Sequence, residues 1–280
     1  MKTVLYAAAV LTLSAGSALA GPSTIWSVNV AATGSGVSSP AYAERFTLDG
    51  AKVGQVLLGT GFSPGGIALV GNTAYVSSTT DGLIRSFNTL TGIVSGTTIA
   101  TGQPGYGSLS ADATGLWAND YGGGNKAYHI TFAGVIDRNV SLSLCSSYCN
   151  GLEVVSRGGL TFFVANRGET EALATYDRYT TTGGVVTAGL LSNVPNGSGI
   201  AYSSDLDRYF VANGFDNALT SYSAATGGLL GSIALGGTAP DSGFGNVRFI
   251  ADVAFQVPEP ATIALMLTGF GVMGMLRRRI

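Results

Sequence analysis

Apolar and polar residues alternate along this chain in short runs, and the runs recur in a fixed order. Aligning Ser27–Ala32, Thr73–Ser78, Gly115–Asn119, Phe162–Asn166 and Tyr209–Asn213 puts Val30, Val76, Trp117, Val164 and Val211 in register, spaced 46, 41, 47 and 47 residues apart. A polar loop follows each anchor. A second alternating run comes next: Ala43–Leu48, Leu83–Asn88, Ala127–Phe132, Ala172–Tyr176 and Ala218–Tyr222. Then stand the turns Asp49-Gly50, Thr91-Gly92, Ala133-Gly134, Gly183-Gly184 and Gly227-Gly228, and after them Val53–Leu58, Ile93–Ala100, Val135–Leu142, Val185–Leu190 and Leu229–Leu235. Period-two alternation marks strands with one buried face, and a Gly turn between two such runs marks a hairpin. A further strand precedes four of the repeats, at Gly66–Val70, Tyr106–Ala111, Gly151–Ser156 and Gly199–Ser203. The first repeat lacks one, and Phe249–Phe255 near the other end supplies it.

Four-stranded units at this period predict an all-β fold: a β-propeller of five blades, closed by a C-terminal strand placed in the first blade, which removes the open edge. A six-bladed ring is the alternative count. A parallel β-solenoid is the alternative architecture, but its repeats are usually shorter and the Gly-turn hairpins argue against it. Phe163-Val164-Ala165-Asn166 and Phe210-Val211-Ala212-Asn213, the latter followed by Ser223-Ala224-Ala225-Thr226-Gly227-Gly228, resemble the YVTN-type β-propeller repeat over most of residues 150–240. That resemblance speaks to fold and hardly to function. Some propellers of this broad class are lactonases or other hydrolases, with metal ligands or basic residues near the central channel. No matching motif is visible here.

The two ends read as addresses. Lys2, the apolar stretch Val4–Ala15 and the A-x-A site Ala18-Leu19-Ala20 make residues 1–20 a secretory signal peptide cut after Ala20. Gly21-Pro22 follows at once and argues against a structural helix. At the other end, Val257-Pro258-Glu259-Pro260 precedes an apolar run, Ala261–Leu276, and the basic tail Arg277-Arg278-Arg279 before Ile280. Sixteen helical residues span about 24 Å, short of a bilayer core of about 30 Å but usable with flanking residues and local thinning. The three arginines place the C-terminus in the cytoplasm, in agreement with an exported N-terminus. A buried core helix is the alternative, and it would leave those arginines without acidic partners. The tail resembles the PEP-CTERM sorting signal of Gram-negative bacteria. The resemblance implies recognition of Pro258-Glu259-Pro260 by an exosortase, a membrane protease. It further implies transient anchoring by the 261–276 transmembrane helix and an association with exopolysaccharide and biofilm matrix. The two prolines keep the motif extended, the form in which a protease reads backbone. Residues 21–256 are left as the propeller domain, with 257–280 as the sorting signal.

Charge then narrows the partners. Setting aside Lys2 and Arg277–Arg279, residues 21–260 hold ten basic against sixteen acidic residues. A net charge near −6 disfavours nucleic acid or anionic lipid as a partner of the domain as a whole. Cys145 and Cys149 are the only cysteines. In an oxidising compartment a local disulfide is the default, ahead of free thiols; a metal site needs about four ligands, and no other Cys or His lies nearby in sequence.

Candidate chemistry is sparse. His129, the only histidine, sits inside an alternating strand, where a half-buried structural role is commoner than a catalytic one. No G-x-S-x-G elbow, phosphate loop or HExxH motif occurs. Asp205 and Asp207 belong to a turn too short for a calcium loop. The loops after the anchor strands carry Asp81, Asp120, Glu169, Glu171 and Asp216, which a propeller places on one face. Such carboxylates, beside Asn and backbone carbonyls, suit Ca²⁺ or sugar hydroxyls, with Tyr121 and Phe215 as stacking surfaces. The plainer explanation is that Asp, Asn and Gly are what turns use. The expected function is non-enzymatic: an exported binding or scaffold protein of the cell surface or matrix, without an obligatory cofactor. The competing expectation is a hydrolase or lactonase with its site at the central channel, marked by convergent acids with His129 or a metal. A purely structural matrix protein is the third.

Overall fold

Antiparallel hairpins of four strands repeat five times in the computed structural model. It describes residues 23–29, 39–121, 124–146, 149–168, 173–214, 216–238 and 250–256. The expected signal peptide with Ala18 and Ala20 lies outside the described residues, as do the tail with Val257–Pro260 and Arg277–Arg279, and Glu169, Glu171 and Phe215. Blade 1 holds β1 (Thr24–Asn29), β2 (Ala41–Thr47) and β3 (Lys52–Gly59). Blade 2 holds β4 (Pro64–Val70), β5 (Thr73–Ser78), β6 (Leu83–Asn88) and β7 (Ile99–Ala100). Blade 3 holds β8 (Tyr106–Ala111), β9 (Gly115–Asp120), β10 (Lys126–Thr131) and β11 (Ile136–Ser141). Blade 4 holds β12 (Leu152–Arg157), β13 (Leu160–Asn166), β14 (Leu173–Thr180) and β15 (Val185–Pro195). Blade 5 holds β16 (Gly197–Ser203), β17 (Arg208–Asn213), β18 (Ala218–Ser223) and β19 (Leu229–Ala234). The last strand, β20 (Ile250–Gln256), returns to blade 1 and pairs antiparallel with β1, from Thr24↔Gln256 to Asn29↔Ile250. The chain is therefore a five-bladed β-propeller closed by its C-terminal strand.

Around the ring the inner strands run β20, β4, β8, β12, β16 and back to β20. Chain direction alternates, so the ring has two unlike ends. One carries the turns that follow the first and third strands of each blade; we call it the turn face. The other carries the loops that follow the second and fourth strands; we call it the loop face. The five predicted Gly turns all form on the turn face, with φ of 87° at Gly50, 71° at Gly92, 87° at Gly134, 91° at Gly183 and 70° at Gly227. Each needs the left-handed region that glycine enters without a Cβ penalty.

The apolar core is divided among the blade interfaces, where neighbouring sheets interdigitate. Val164 of β13 and Val211 of β17 lie in the same cluster between blades 4 and 5. The two identical Phe-Val-Ala-Asn stretches therefore present their valines in opposite senses around the ring. Side chains alternate along a strand, so equivalent letters one position out of register face opposite neighbours. Trp117 likewise packs toward blade 4, whereas Val76 packs toward blade 1. Two further boundaries differ from expectation. The first-repeat strand begins at Thr24, ahead of Ser27, because pairing with β20 and burial of Ile25 and Trp26 pull its start earlier; Val30–Ala32 are outside the described residues. The outer strand expected at Ile93–Ala100 is only Ile99–Ala100, preceded by a single bridge from Phe87 to Val94. Ser95 turns back locally there, its Oγ accepting the Thr97 amide, a side-chain bond that competes with the ladder. Cys145 and Cys149 form the expected disulfide, buried between blades 3 and 4.

Candidate functional site

The axis of the ring poses a local problem. The inner edge of every blade has no further strand to pair with, so its buried N–H groups need other acceptors. Side chains of the neighbouring blades supply them. Asp252 of β20 accepts from the amides of Ile67 (3.1 Å), Leu109 (3.2 Å) and Val253 (2.9 Å) and from Ser108 Oγ (3.0 Å). One carboxylate so ties blade 1 to blades 2 and 3. Ser108 Oγ accepts the Leu152 amide at 3.0 Å and Ser110 Oγ the Val154 amide at 3.0 Å, tying blade 3 to blade 4. Glu153 accepts from Ser110 Oγ (2.8 Å) and from the Tyr202 amide (3.1 Å), tying blade 4 to blade 5. Ser198 Oγ donates to the Ile250 carbonyl at 2.7 Å, which returns the circuit to blade 1.

The axis is filled where these groups meet. A Cβ added at Gly66 would stand 2.2 Å from the Leu109 nitrogen, and one added at Gly199 would stand 2.0 Å from Asp252 Oδ1. Toward the turn face a small cavity of about 70 Å³ remains, lined by Ser110, Glu153, Tyr202, Leu69 and Phe255. Burial drives the Asp252 carboxyl well above the usual carboxylate range, against the pull of its donors. Burial also pushes Glu153 up, to about 7, opposed by Ser110 and the Tyr202 amide. An acid raised in this way favours folding in its neutral form. Its stabilisation is complete below the ordinary value of 4.5 and is lost as pH rises toward 7. Glu153→Gln is therefore expected to flatten the fall in unfolding midpoint between pH 4.5 and pH 8 and to stabilise the protein at pH 8. Thermal unfolding of both proteins across that range is the check, and parallel curves would refute the assignment.

His129 lies far from this circuit in the chain's layout, on β10, the third strand of blade 3. It is 1% exposed, more buried than its sequence suggests. Nδ1 lies 2.5 Å from Asp137 Oδ1 and Nε2 lies 3.1 Å from Thr114 Oγ1, with the ring packed on Trp117. This hydroxyl–imidazole–carboxylate line superficially matches a nucleophile with its base. Asp112 changes that picture. Its Oδ1 accepts the Thr114 hydroxyl at 2.6 Å together with the Thr114 and Gly115 amides, and its Oδ2 accepts Trp117 Nε1 at 2.7 Å. Partial burial raises Asp112, but Thr114, Trp117 and His129 outweigh it and hold the carboxyl down to about 2. The arrangement clamps the turn between β8 and β9, and a carboxylate beside Thr114 Oγ1 would repel a developing oxyanion.

The candidate acids that lie among the described residues are divided in their chemistry. Asp81, Asp120 and Asp216 all stand on the loop face, in blades 2, 3 and 5. Asp81 is bound by Arg85, at 2.7 Å from Nη2, and caps the Leu83 amide at 3.1 Å. Asp120 ends β9 beside Gly124. Among the described residues no three His, Cys, Asp or Glu side chains come together to hold a metal ion. Asp216 opens on a concavity: a groove of about 480 Å³ against blade 5, lined also by Ser192, Asn193, Asn213, Thr220 and Tyr222. Asn193, Asn196 and Asn217 around it hold φ of 57°, 45° and 48°. Left-handed non-glycine residues are uncommon and concentrate where a backbone is held for a purpose. Neither the groove nor the axial circuit is visible from motifs. A lone acid inside each of the apolar strands Leu152–Arg157 and Ile250–Gln256 is the sequence trace of the circuit.

Residues 256–279 match the PEP-CTERM protein-sorting motif. The chain carries that sorting signal. The match encloses Val257–Pro260 and Arg277–Arg279, the residues singled out from the sequence. The PEP-CTERM signal indicates export and C-terminal membrane anchoring before processing. No curated protein sequence matches the chain. Among solved structures, the chain is similar to one in the nidogen/laminin complex, with a TM-score of 0.51 and 9% identity, covering 84% of this chain and 99% of that one. That likeness shows the fold alone. Glutaminyl cyclase of Myxococcus xanthus also matches, with a TM-score of 0.46 and 20% identity over 61% of this chain and 77% of that one. The PEP-CTERM signal thus speaks to how the propeller is delivered, and the site to what it can hold.

Proposed function

We propose that this PEP-CTERM propeller, once processed by an exosortase, is a non-enzymatic binding or scaffold protein of the cell surface or the exopolysaccharide matrix. The groove against blade 5 is its binding site. The observation that carries the proposal is the lining of that groove. Asp216, Ser192 and Asn193 share the groove with Pro195, Ala218, Tyr222 and Leu229, while Asn213, Thr220 and Ser232 are already hydrogen-bonded within the fold. A largely apolar surface with a few polar groups, one of them a carboxylate, suits the ring faces and hydroxyls of a sugar chain. Asp216 Oδ2 already accepts from Asn196 Nδ2 at 3.2 Å, which orients the carboxylate. The hydrolase alternative has less support, since both axial acids are engaged in holding the ring.

The test uses the processed protein isolated from its producing cells, titrated calorimetrically with the matrix polysaccharide of those cells, with and without Ca²⁺. Asp216→Ala is expected to weaken binding about tenfold, the loss of one good charge-assisted hydrogen bond. Asp81→Ala, on a different blade and committed to Arg85, is expected to leave binding unchanged. Flat titrations, or equal losses in the two variants, would sink the assignment. Turnover of ester or lactone substrates would move it to the hydrolase class.

A further inference from the structure

Exposed apolar side chains are distributed unequally between the two ends of the ring. Among the described residues, thirteen large hydrophobic side chains are exposed, and all but Leu57 and Leu173 lie in or within two residues of the turns of the turn face. They come from every blade. Leu90 (70% exposed), Ile93 (68%), Val135 (58%), Leu160 (62%) and Leu229 (67%) are the most prominent. Single exposed hydrophobics are ordinary, but a ring of them at one end marks an interaction surface.

The chain itself indicates what lies opposite. β20 runs from the loop face to the turn face and ends there at Gln256. Gln256 is fixed in place: Oε1 accepts Trp26 Nε1 at 2.8 Å and Nε2 donates to Thr89 Oγ1 at 3.0 Å, next to Leu90. The sorting motif begins at the following residue, and the apolar run begins at Ala261. Four extended residues, 257–260, reach at most about 14 Å. The exit point of the anchored chain therefore sits among the exposed apolar turns.

We propose that the turn face rests on the lipid bilayer while the protein is still anchored, its apolar turns dipping into the headgroup region. The membrane contact is thus an orienting surface on the folded domain, separate from the anchor; among the described residues Leu229 is the one exposed apolar side chain it shares with the groove. Lipid is favoured over a second copy because the chain exit holds this face within a few residues of the membrane.

The test uses the full chain, uncleaved, in vesicles of phosphatidylethanolamine and phosphatidylglycerol. Single cysteines replace Leu90, Val135 or Leu160 on the turn face, or Leu57 or Leu173 elsewhere, and carry an environment-sensitive fluorophore. Cys145 and Cys149 are disulfide-bonded and take no label. The three turn-face labels are expected to shift to the blue and to be shielded several-fold from aqueous iodide relative to the other two. That shielding is expected to persist as protein is diluted in lipid. Equal quenching at all five positions would overturn the proposal. Shielding that disappears on dilution would also overturn it, in favour of contact between copies. Leu90→Asp with Leu160→Asp, both at exposed positions, should unshield the Val135 label without changing intrinsic tryptophan emission; a fully shielded Val135 label in that variant counts against the bilayer contact.

Discussion

Asp252→Ala is expected to be the most damaging single side-chain change in the domain. The substitution strands the amides of Ile67, Leu109 and Val253 and the Ser108 hydroxyl on an axis closed to solvent. Each buried donor left without an acceptor costs about 1–3 kcal/mol, and removing one partner of a buried charged network typically costs about 3–5 kcal/mol. Partial collapse and water entry limit the sum, so a loss of about 4 kcal/mol is expected, close to half the stability of an ordinary domain. Asp252→Asn keeps an acceptor oxygen facing three of the four donors and should lose much less. Urea unfolding monitored by tryptophan fluorescence distinguishes the two, and an alanine variant no weaker than the asparagine one would show that the carboxylate is not the hub. The position of Asp252 sharpens the point. It lies on the strand that closes the ring, and that strand runs into the sorting motif after Gln256. Closure of the fold and the address for processing share one short segment, so a cut that removed β20 would remove the hub with it.

The strands, the blade number and the closing strand were legible because each depends on local chemistry. Alternation sets a strand, glycine sets a left-handed turn, and a missing inner strand at one end with a surplus strand at the other sets the closure. The orientation of each strand was not legible from letters. Val164 and Val211 occupy matching places in matching tetrapeptides and yet meet each other across one interface. Which face a residue takes depends on the register between inner and second strands, and bulges such as those between Gly197 and Ile200 or between Pro64 and Ile67 shift it. The candidate acids are set apart in a related way. Asp81 and Asp216 look alike in sequence, each in a polar loop after an anchor strand. Arg85 lies four residues from Asp81 and takes it, while the long strand β15 of the neighbouring blade builds a groove beside Asp216. The axial circuit was missed because its members are single polar residues in apolar strands. They acquire meaning only when five unpaired edges converge.

The five turn glycines look interchangeable in sequence and are expected to differ widely on substitution. Alanine at a φ near +80° costs about 1–2 kcal/mol wherever it stands. At Gly92 that is nearly the whole cost, because an added Cβ meets only Val56 Cγ2 at 3.6 Å, an ordinary contact. At Gly50 the same Cβ would stand 2.1 Å from the Ala234 carbonyl oxygen of blade 5. The turn cannot retreat freely, since the Gly50 carbonyl accepts the Gly236 amide at 2.8 Å and Lys52 Nζ reaches the Thr238 carbonyl at 3.2 Å. Relief requires separating blade 1 from blade 5, the interface beside the closing strand. Overpacking against backbone adds about 1–3 kcal/mol to the conformational term. Gly50→Ala is therefore expected to lose about 4 kcal/mol and Gly92→Ala about 1 kcal/mol. Gly183 and Gly227 should follow Gly50, because their added Cβ atoms would stand 2.3 Å from the Ser141 oxygen and 2.0 Å from the Leu190 oxygen. Chemical unfolding of the four variants is the check. Equal losses at Gly50 and Gly92 would mean that the turns act only within their own hairpins. A wide gap would show that each Gly turn also braces the outer strand of the blade before it.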